Sequence, residues 1–264
     1  MIPKILLSFD VEEFDMPLEY GFPISAEQQM QKGKLGLDRL MPLLSDTSIQ
    51  STLFTTANFA NQYPEIIKQL SLKHEIASHT FYHSSYHTTD LKNSRDRLSE
   101  IIGKQVVGLR IPRMKQVPVS DIVNAGYGYD ASIHPIWLPG RYNNLHLPKN
   151  PYLENGLFRI PASVSTIFRI PLFWLSFKNF PYSLYLQLAI HSLKSQGFLS
   201  LYFHPWEFVD IEGLGLPKYT TTGCQSTLFE RLNQLIQDLK LHGEFITYQD
   251  FARSHSPEKG ILKA

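Results

Sequence analysis

The sequence predicts an α/β fold built on a parallel sheet, either open or closed into a barrel. Short apolar runs of strand length alternate along the chain with segments of helical periodicity, and short turns separate the two kinds of segment. Such repeated strand–helix units are typical of parallel sheets covered by helices. Polar side chains also follow several apolar runs directly, and in folds of this kind the chemistry lies at the carboxyl ends of the strands.

In the first half of the chain, four predicted strands alternate with three predicted helices. The strands cover residues 5–9, 51–55, 75–78 and 106–110. The helices cover residues 27–44, 63–72 and 90–102. Ser25 is the expected N-cap of the first helix, Pro64 occupies the first turn of the second, and Gly103 ends the third.

The second half continues this alternation with one interruption. Predicted helices cover residues 119–125, 184–195 and 227–241, and predicted strands cover residues 127–132, 198–203 and 244–248. Around residues 133–180, six prolines break the pattern, so we expect a mostly irregular insertion rich in proline and aromatic residues. No linker is evident, and residues 1–264 are therefore expected to form a single domain.

The composition excludes several classes of protein. Of the 264 residues, 43% are hydrophobic and 19% are charged, and the formal net charge is +1, which indicates no general affinity for nucleic acid or anionic membranes. The single cysteine, Cys224, excludes an intramolecular disulfide framework and a cysteine-based zinc site. The N-terminus has no long apolar run, and no segment reaches transmembrane length, so we expect a cytoplasmic protein without a signal peptide.

Two histidines, His79 and His83, follow the third predicted strand. On a continuing strand, residues four apart lie roughly 13 Å from each other and cannot share one ion. On a helical turn the same positions are neighbours on one face, so both rings can bind one metal ion if the chain turns at His79. The alternative is that both histidines are polar loop residues.

Two acidic residues, Asp10 and Glu12, follow the first predicted strand. On an extended segment their side chains point to the same side, whereas Glu13 points away. One carboxylate with two imidazoles forms the three-ligand set of a catalytic zinc site, with a position open to water. A divalent ion there lowers the pKa of that water and polarises a carbonyl group, and the second carboxylate is then free to act as general base. Arg110, Asp130 and His204 end other predicted strands, which strengthens the metal-site hypothesis.

Five motifs in register resemble the motif series of the polysaccharide deacetylases, the NodB-type carbohydrate esterases. They are SFDVE at residues 8–12, SHTFYH at 78–83, RIPR at 110–113, YDAS at 129–132 and LYFHPWE at 201–207. More narrowly, the DVE, DASI and HPWE stretches resemble the branch found with exopolysaccharide biosynthesis systems. The resemblance implies a distorted (β/α) barrel with about seven strands.

The resemblance also implies a role for each matching residue. Asp10 matches the catalytic base, and Arg110 matches the arginine that orients this base and keeps it ionised. His204 matches the general acid, and Asp130 matches the carboxylate that positions this histidine. The metal ligands implied are His79, His83 and Glu12. The commoner family pattern has adjacent aspartates, and here Val11 occupies the position of the second, so the ligand falls one residue later, at Glu12.

The implied activity is metal-dependent removal of N-acetyl groups from an amino-sugar glycan or a lipid-linked glycan precursor, with Zn²⁺ favoured and Co²⁺ or another divalent ion as alternatives. A second hypothesis is a hydrolase of the same fold that acts on a small amide or cyclic imide. A third is a non-catalytic glycan-binding protein that has lost its metal, which Val11 favours. The sequence indicates no nucleic-acid partner and no transmembrane segment. Peripheral membrane contact and the oligomeric state stay open.

Each assignment has a structural alternative. Without the resemblance, Arg110 is a surface residue, Asp130 a turn residue and His204 a core histidine. Structural roles are favoured for Trp206 and Glu207. The aromatic segment 168–177 is expected to cover one end of the barrel as core, and its alternative is an exposed apolar edge that contacts a lipid-linked glycan, a membrane or a second subunit.

Overall fold

The computed structural model describes residues 2–140 and 142–256, and these contain eleven β-strands. The strands are β1 (Lys4–Val11), β2 (Thr52–Thr55), β3 (Glu75–Ser78), β4 (Gly108–Leu109), β5 (Tyr129–Asp130), β6 (Trp137–Leu138), β7 (Tyr142–Asn143), β8 (Tyr152–Glu154), β9 (Leu157–Arg159), β10 (Phe198–Phe203) and β11 (Glu244–Phe245).

The same residues form eleven α-helices. The helices are α1 (Met16–Glu19), α2 (Ala26–Ser45), α3 (Ala57–Gln62), α4 (Pro64–Leu70), α5 (Thr88–Ile102), α6 (Val119–Asn124), α7 (Trp174–Asn179), α8 (Tyr182–Gln196), α9 (Lys218–Thr221), α10 (Ser226–Lys240) and α11 (Tyr248–His255). Two 3₁₀ turns, Pro112–Met114 and Pro205–Phe208, follow β4 and β10. None of the described helices combines the length and the apolar character needed to cross a membrane.

The main sheet contains nine strands in the order β10-β1-β2-β3-β4-β5-β9-β8, and β11 pairs with the start of β1. From β10 to β9 every neighbouring pair is parallel, which gives seven parallel strands, and β8 is antiparallel to β9. Beyond β9, the N–H of Ser163 donates to the carbonyl of Ser200 in β10 at 3.0 Å. The sheet therefore curls into a half-barrel, and the prediction of about seven strands is confirmed.

Strand β1 sends alternate side chains to opposite faces of this sheet. Ile5 and Leu7 belong to the main apolar core beneath the helices, whereas Leu6 belongs to a smaller cluster on the concave face. Ser8 and Asp10 share the face of Leu6 because the period of a strand is two residues. The concave face is thus apolar near the start of β1 and polar near its end, which places Asp10 inside the mouth of the half-barrel.

Helix α2 packs its glycines against the backbone at this mouth. The helix begins with a capping box in which the Ser25 side chain accepts from the N–H of Gln28. A Cβ added at Gly33 would lie 2.2 Å from the carbonyl oxygen of Glu12, and one at Gly36 would lie 2.2 Å from that of Pro205. Only glycine allows the helix to approach these two carbonyls so closely.

The segment 133–180 is more regular than expected. It contains the β6–β7 hairpin, the β8–β9 hairpin and α7, and β9 pairs with β5 as part of the main sheet. These strands have two or three residues each, which is too short for a periodic pattern to be recognised. The predicted aromatic core is present at Phe173, Trp174 and Phe177, which are buried, whereas Ile167 and Phe168 are 78% and 82% exposed.

Candidate active site

The structure brings four of the predicted polar strand ends to the mouth of the half-barrel, those of β1, β3, β4 and β10. One cavity of about 330 Å³ is lined by the following residues at these ends: Asp10, Glu12, His79, His83, Arg110 and His204. The fifth strand end, Asp130 of β5, does not line this cavity.

Glu12, His79 and His83 form a buried group of metal-ligand type. Oε2 of Glu12 lies 3.0 Å from Nε2 of His79 and 3.2 Å from Nε2 of His83. The three ligand atoms all lie within 4.8 Å of one another. Three donors at this separation can contact one ion at their centre.

The chain turns immediately after His79, as the metal hypothesis requires. Thr80 has φ = 63°, in the left-handed region that a β-branched residue rarely adopts. Its N–H donates to the Ser78 hydroxyl at 3.2 Å and its hydroxyl donates to the carbonyl of Tyr82 at 2.9 Å, which holds the turn. The strained residue thus ends β3 and returns His83 to the side of His79, with the ring centroids 5.6 Å apart.

Both histidines are oriented through Nδ1. Nδ1 of His79 lies 2.7 Å from the carbonyl oxygen of Arg110, and Nδ1 of His83 lies 2.6 Å from Oδ1 of Asp15. Because a carbonyl and a carboxylate accept hydrogen bonds, each Nδ1 carries the proton and each Nε2 faces Glu12. Arg113 donates to the other oxygen of Asp15 at 3.0 Å. Asp15 was missed by the sequence analysis.

The surroundings of the Glu12 carboxylate favour the binding of a cation. Its Oε1 accepts from the indole N–H of Trp206 at 3.0 Å, while Oε2 is buried without a hydrogen-bond donor among the described residues. Burial disfavours the charged carboxylate, but the electrostatic influence of the neighbouring imidazoles, that of His83 first, outweighs it and lowers the pKa of Glu12. An ionised, buried oxygen facing two imidazole nitrogens fits a divalent ion.

Asp10 is held by a buried ion pair. Arg110 donates to Oδ1 of Asp10 at 2.5 Å and to the hydroxyl of Ser8 at 3.0 Å, while its second nitrogen donates to the hydroxyl of Tyr248 at 3.0 Å. The guanidinium also lies 4.0 Å from the centroid of the Phe54 ring. These contacts fix the Asp10 carboxylate and place a permanent positive charge against it. The surface alternative for Arg110 is thus wrong, since the side chain is 1% exposed.

The second oxygen of Asp10 faces the cavity between two imidazoles. Oδ2 lies 4.0 Å from Nε2 of His79 and 3.9 Å from Nε2 of His204. It therefore borders both the metal-ligand group and His204. A small molecule between these groups is within reach of a carboxylate acceptor and an imidazole donor.

His204 is oriented by Glu207. Oε1 of Glu207 accepts from the backbone N–H of His204 at 2.7 Å and lies 3.0 Å from its Nδ1. The imidazole stacks on Trp206 with centroids 4.7 Å apart. Burial lowers the pKa of His204, but the hydrogen bond to Glu207 and the charge of Glu12 outweigh it, so the pKa lies above the ordinary value. The geometry therefore presents Nε2 of His204 to the cavity while Glu207 holds Nδ1.

The role expected for Asp130 is corrected by this geometry. Asp130 is fully buried, and its carboxylate contacts Ser132 and Nε of Arg159, the latter at 3.0 Å. It secures the pairing of β5 with β9, while Glu207 takes the position beside His204. The spacing of His204 and Glu207 was a usable signal, because an acidic side chain three residues into a helical turn folds back to the first backbone N–H.

The fold and the buried glutamate–histidine group define a candidate metal centre at the mouth of a parallel half-barrel. In sequence, residues 31–130 match the family model of the polysaccharide deacetylases. No curated protein matches the sequence. The match includes the SHTFYH and RIPR motifs and confirms the predicted resemblance over these residues. The fold is the NodB-type deacetylase fold, which solved structures of polysaccharide deacetylases share.

Solved structures share this fold at low sequence identity. A Mycobacterium smegmatis protein described as a polysaccharide deacetylase is 18% identical with a TM-score of 0.63, and the match covers 97% of this chain and 91% of that protein. A Pseudomonas aeruginosa PAO1 protein with the same description is 16% identical with a TM-score of 0.66, covering 96% and 92%. Puue allantoinase is 15% identical with a TM-score of 0.65, covering 96% and 91%.

Proposed function

We propose that this protein is a metal-dependent hydrolase that removes N-acetyl groups from an amino-sugar glycan or a glycan precursor. The observation that carries the proposal is the position of Asp10. Its free oxygen lies between the metal-ligand group and the imidazole of His204, 4.0 Å from His79 and 3.9 Å from His204. A base and an acid on either side of one small space suit the hydrolysis of an amide.

The metal would be held by Glu12, His79 and His83. When bound, a divalent ion would supply Lewis-acid polarisation of the acetamide carbonyl and lower the pKa of a water molecule. Zn²⁺ is the favoured ion because imidazole and carboxylate are its ligands in catalytic sites, and Co²⁺ is the alternative. The remaining chemistry falls to residues outside this group.

Asp10 accepts the proton of the attacking water, and Arg110 holds its carboxylate in place through Oδ1. As the carbon–nitrogen bond of the acetamide breaks and a carbon–oxygen bond forms, His204 gives its proton to the departing nitrogen. The products are acetate and a free amine. Glu207, in place of Asp130, stabilises the charged imidazole and keeps Nε2 directed at the cavity.

The size of the cavity suits a single sugar unit of the substrate. Its volume of about 330 Å³ lies at the lower end of the range for ligand pockets, roughly 300–1,000 Å³. An adjoining cavity of about 630 Å³ shares Arg113, Met114 and Tyr142 with it and offers room for neighbouring sugar units. We propose one catalytic domain over residues 1–264. Ile167 and Phe168 are exposed apolar residues. In a variant of this proposal, they contact the membrane that holds a lipid-linked precursor.

Hydrolysis of a small amide or cyclic imide is the second candidate. The similarity to an allantoinase and the small catalytic cavity favour it. A non-catalytic glycan-binding role has less support, because Val11 packs in the main core while Glu12 supplies a carboxylate beside both histidines.

A substrate panel with metal analysis tests the proposal. Purified protein is analysed for bound zinc and cobalt, then incubated with N-acetylglucosamine oligosaccharides and with small cyclic imides, and acetate release and ring opening are measured. We expect acetate release that depends on a stoichiometric divalent ion and is lost in His204→Ala. Imide hydrolysis without acetate release would support the second candidate. Full deacetylation by His204→Ala would contradict the proposed acid.

A further inference from the structure

Lys178, on α7, is a buried lysine beside the proposed acid. Its side chain is 0% exposed, and its Nζ lies 3.4 Å from Oε2 of Glu207. The same nitrogen donates to the carbonyl of Thr220 at 2.8 Å and lies 3.1 Å from Sγ of Cys224. Lysines are almost never fully buried unless they are paired. The burial of Lys178 therefore points to Glu207 as the partner of its charge.

The two oxygens of Glu207 have different partners. Oε1 is occupied by the backbone N–H and Nδ1 of His204. Oε2 is buried without a hydrogen-bond donor, and among residues 2–140 and 142–256 the ion pair that reaches it is the one with Lys178. Glu207 itself is 0% exposed, so solvent does not compensate its charge.

We infer that Lys178 is a positioning residue for the reaction, which acts by holding Glu207 as a carboxylate in the orientation that aligns His204. This inference rests on the proposed function for its kinetic consequence, but its structural content does not. Lys178, Glu207 and His204 form a line of contacts that runs from α7 to the cavity.

Elementary electrostatics supports this role. A buried carboxylate without a compensating charge takes up a proton or moves towards water. A protonated Glu207 has an O–H to donate, and a displaced one no longer reaches His204. In either case Nδ1 loses the acceptor that fixes its proton, and Nε2 no longer keeps a defined direction towards Asp10.

The surroundings of Lys178 leave it little freedom. Its Nζ lies 5.1 Å from the ring of Trp174 and 5.9 Å from that of Trp206, both of which contact the His204 ring. A purely structural role would be to tie α7 to α9 through the carbonyl of Thr220. The two roles predict different outcomes when Glu207 is also changed.

A double-mutant cycle separates the two roles. Lys178→Met, Glu207→Gln and the double variant are compared with a control, Lys73→Met. Nζ of Lys73 donates to the backbone carbonyls of Leu44 and Asp46, which do not line the cavity. We expect Lys178→Met to lower kcat at least roughly tenfold with KM within about twofold, because the acid acts in the transition state. In the double variant the loss should be no larger than in Glu207→Gln alone. The control should keep its kcat.

Losses that multiply in the double variant would overturn the inference, as would an unchanged kcat in Lys178→Met. Lys178→Arg keeps the cation and should retain more activity than Lys178→Met, and equal losses would also count against the inference. If Lys178→Met does not fold, the comparison of Lys178→Arg with wild type carries the test, with a kcat change but no KM change as the expected result.

A spectroscopic measurement keeps this inference separate from the proposed function. Imidazole ¹⁵N NMR of the metal-free protein reports which nitrogen of His204 carries the proton. We expect a protonated Nδ1 in wild type and a changed His204 signal in Lys178→Met, with or without deacetylase activity. Identical His204 signals in the two proteins would overturn the inference even if the enzyme removes acetyl groups.

Discussion

Oδ2 of Asp10 lies 3.9 Å from Nε2 of His204, while Oδ1 of the same carboxylate is bound by Arg110 at 2.5 Å. One oxygen is therefore committed to a buried cation and the other is free for chemistry. The carboxylate has a structural task and a proposed catalytic task at once. Its replacement should affect stability and turnover together.

Asp10→Asn should reduce the rate of acetate release by at least roughly 10²-fold, because an amide cannot accept the proton of water. It should also lower the free energy of unfolding by about 3–5 kcal/mol, because Arg110 loses its buried counter-charge. Steady-state rates and urea unfolding check the two parts. Asp38→Asn, which removes an exposed partner of Lys34, is the matched control and should change neither quantity appreciably.

His79→Ala should abolish stoichiometric binding of zinc, because two remaining ligands do not form a site. Elemental analysis after dialysis measures this directly. His146→Ala, at an exposed position, is the control and should bind as much metal as wild type. Equal metal content in both variants would remove His79 from the proposed ligand set.

Trp206→Phe should weaken metal binding by roughly 10–100-fold, because the indole N–H that orients Glu12 is lost while the aromatic ring is kept. A competition titration with a chelator gives the affinity. Phe14, whose ring centroid lies 5.0 Å from that of Trp206, provides the control variant Phe14→Leu. If both variants bind metal equally well, the hydrogen bond to Glu12 has no influence on the site.

Stability should decrease in mild acid because of His134. Burial, with a smaller contribution from Arg110, lowers the pKa of His134 to about 3. The unfolded chain has a histidine pKa of about 6.5, so between these values it binds a proton that the folded protein does not. This residue alone should remove up to about 2 kcal/mol between pH 7 and pH 5.

The measurement is urea unfolding at both pH values for wild type and His134→Phe. The phenylalanine keeps an aromatic ring among Tyr142, Phe173 and Tyr202 without a titrating group. Its stability should fall less between pH 7 and pH 5 than that of wild type. Parallel curves for the two proteins would show that His134 contributes nothing to the acid sensitivity.

Long periodic elements were predictable from the sequence. Strand β10 and helices α2 and α10 lie where the pattern of apolar residues put them, because each offers enough positions for its period to be recognised. Strands β6 to β9 have two or three residues each, and they are defined by pairing with neighbouring strands and not by a local period. Local pattern therefore gave an irregular segment where the structure has part of the sheet.

Site residues that directly follow a predicted strand were predictable from the sequence. Asp10, His79 and His204 are carried to the cavity by β1, β3 and β10. The supporting contacts were not predictable, because they join elements that are far apart in the sequence: Asp15 meets His83 across 68 positions, and Lys178 of α7 meets Glu207. The Asp130 assignment failed for the same reason, since Arg159 reaches it from β9.

The positions of the site residues depend on α2, although no residue of this helix lines the cavity. Two glycines of the helix are responsible. Gly33 contacts the carbonyl of Glu12, and Gly36 contacts that of Pro205. One helix therefore sets the distance between the proposed metal ligand Glu12 and the residue that follows the proposed acid His204. Any side chain larger than hydrogen at either position would collide with these backbone carbonyls. A survey of tolerated substitutions should therefore record Gly33 and Gly36 as if they were active-site residues.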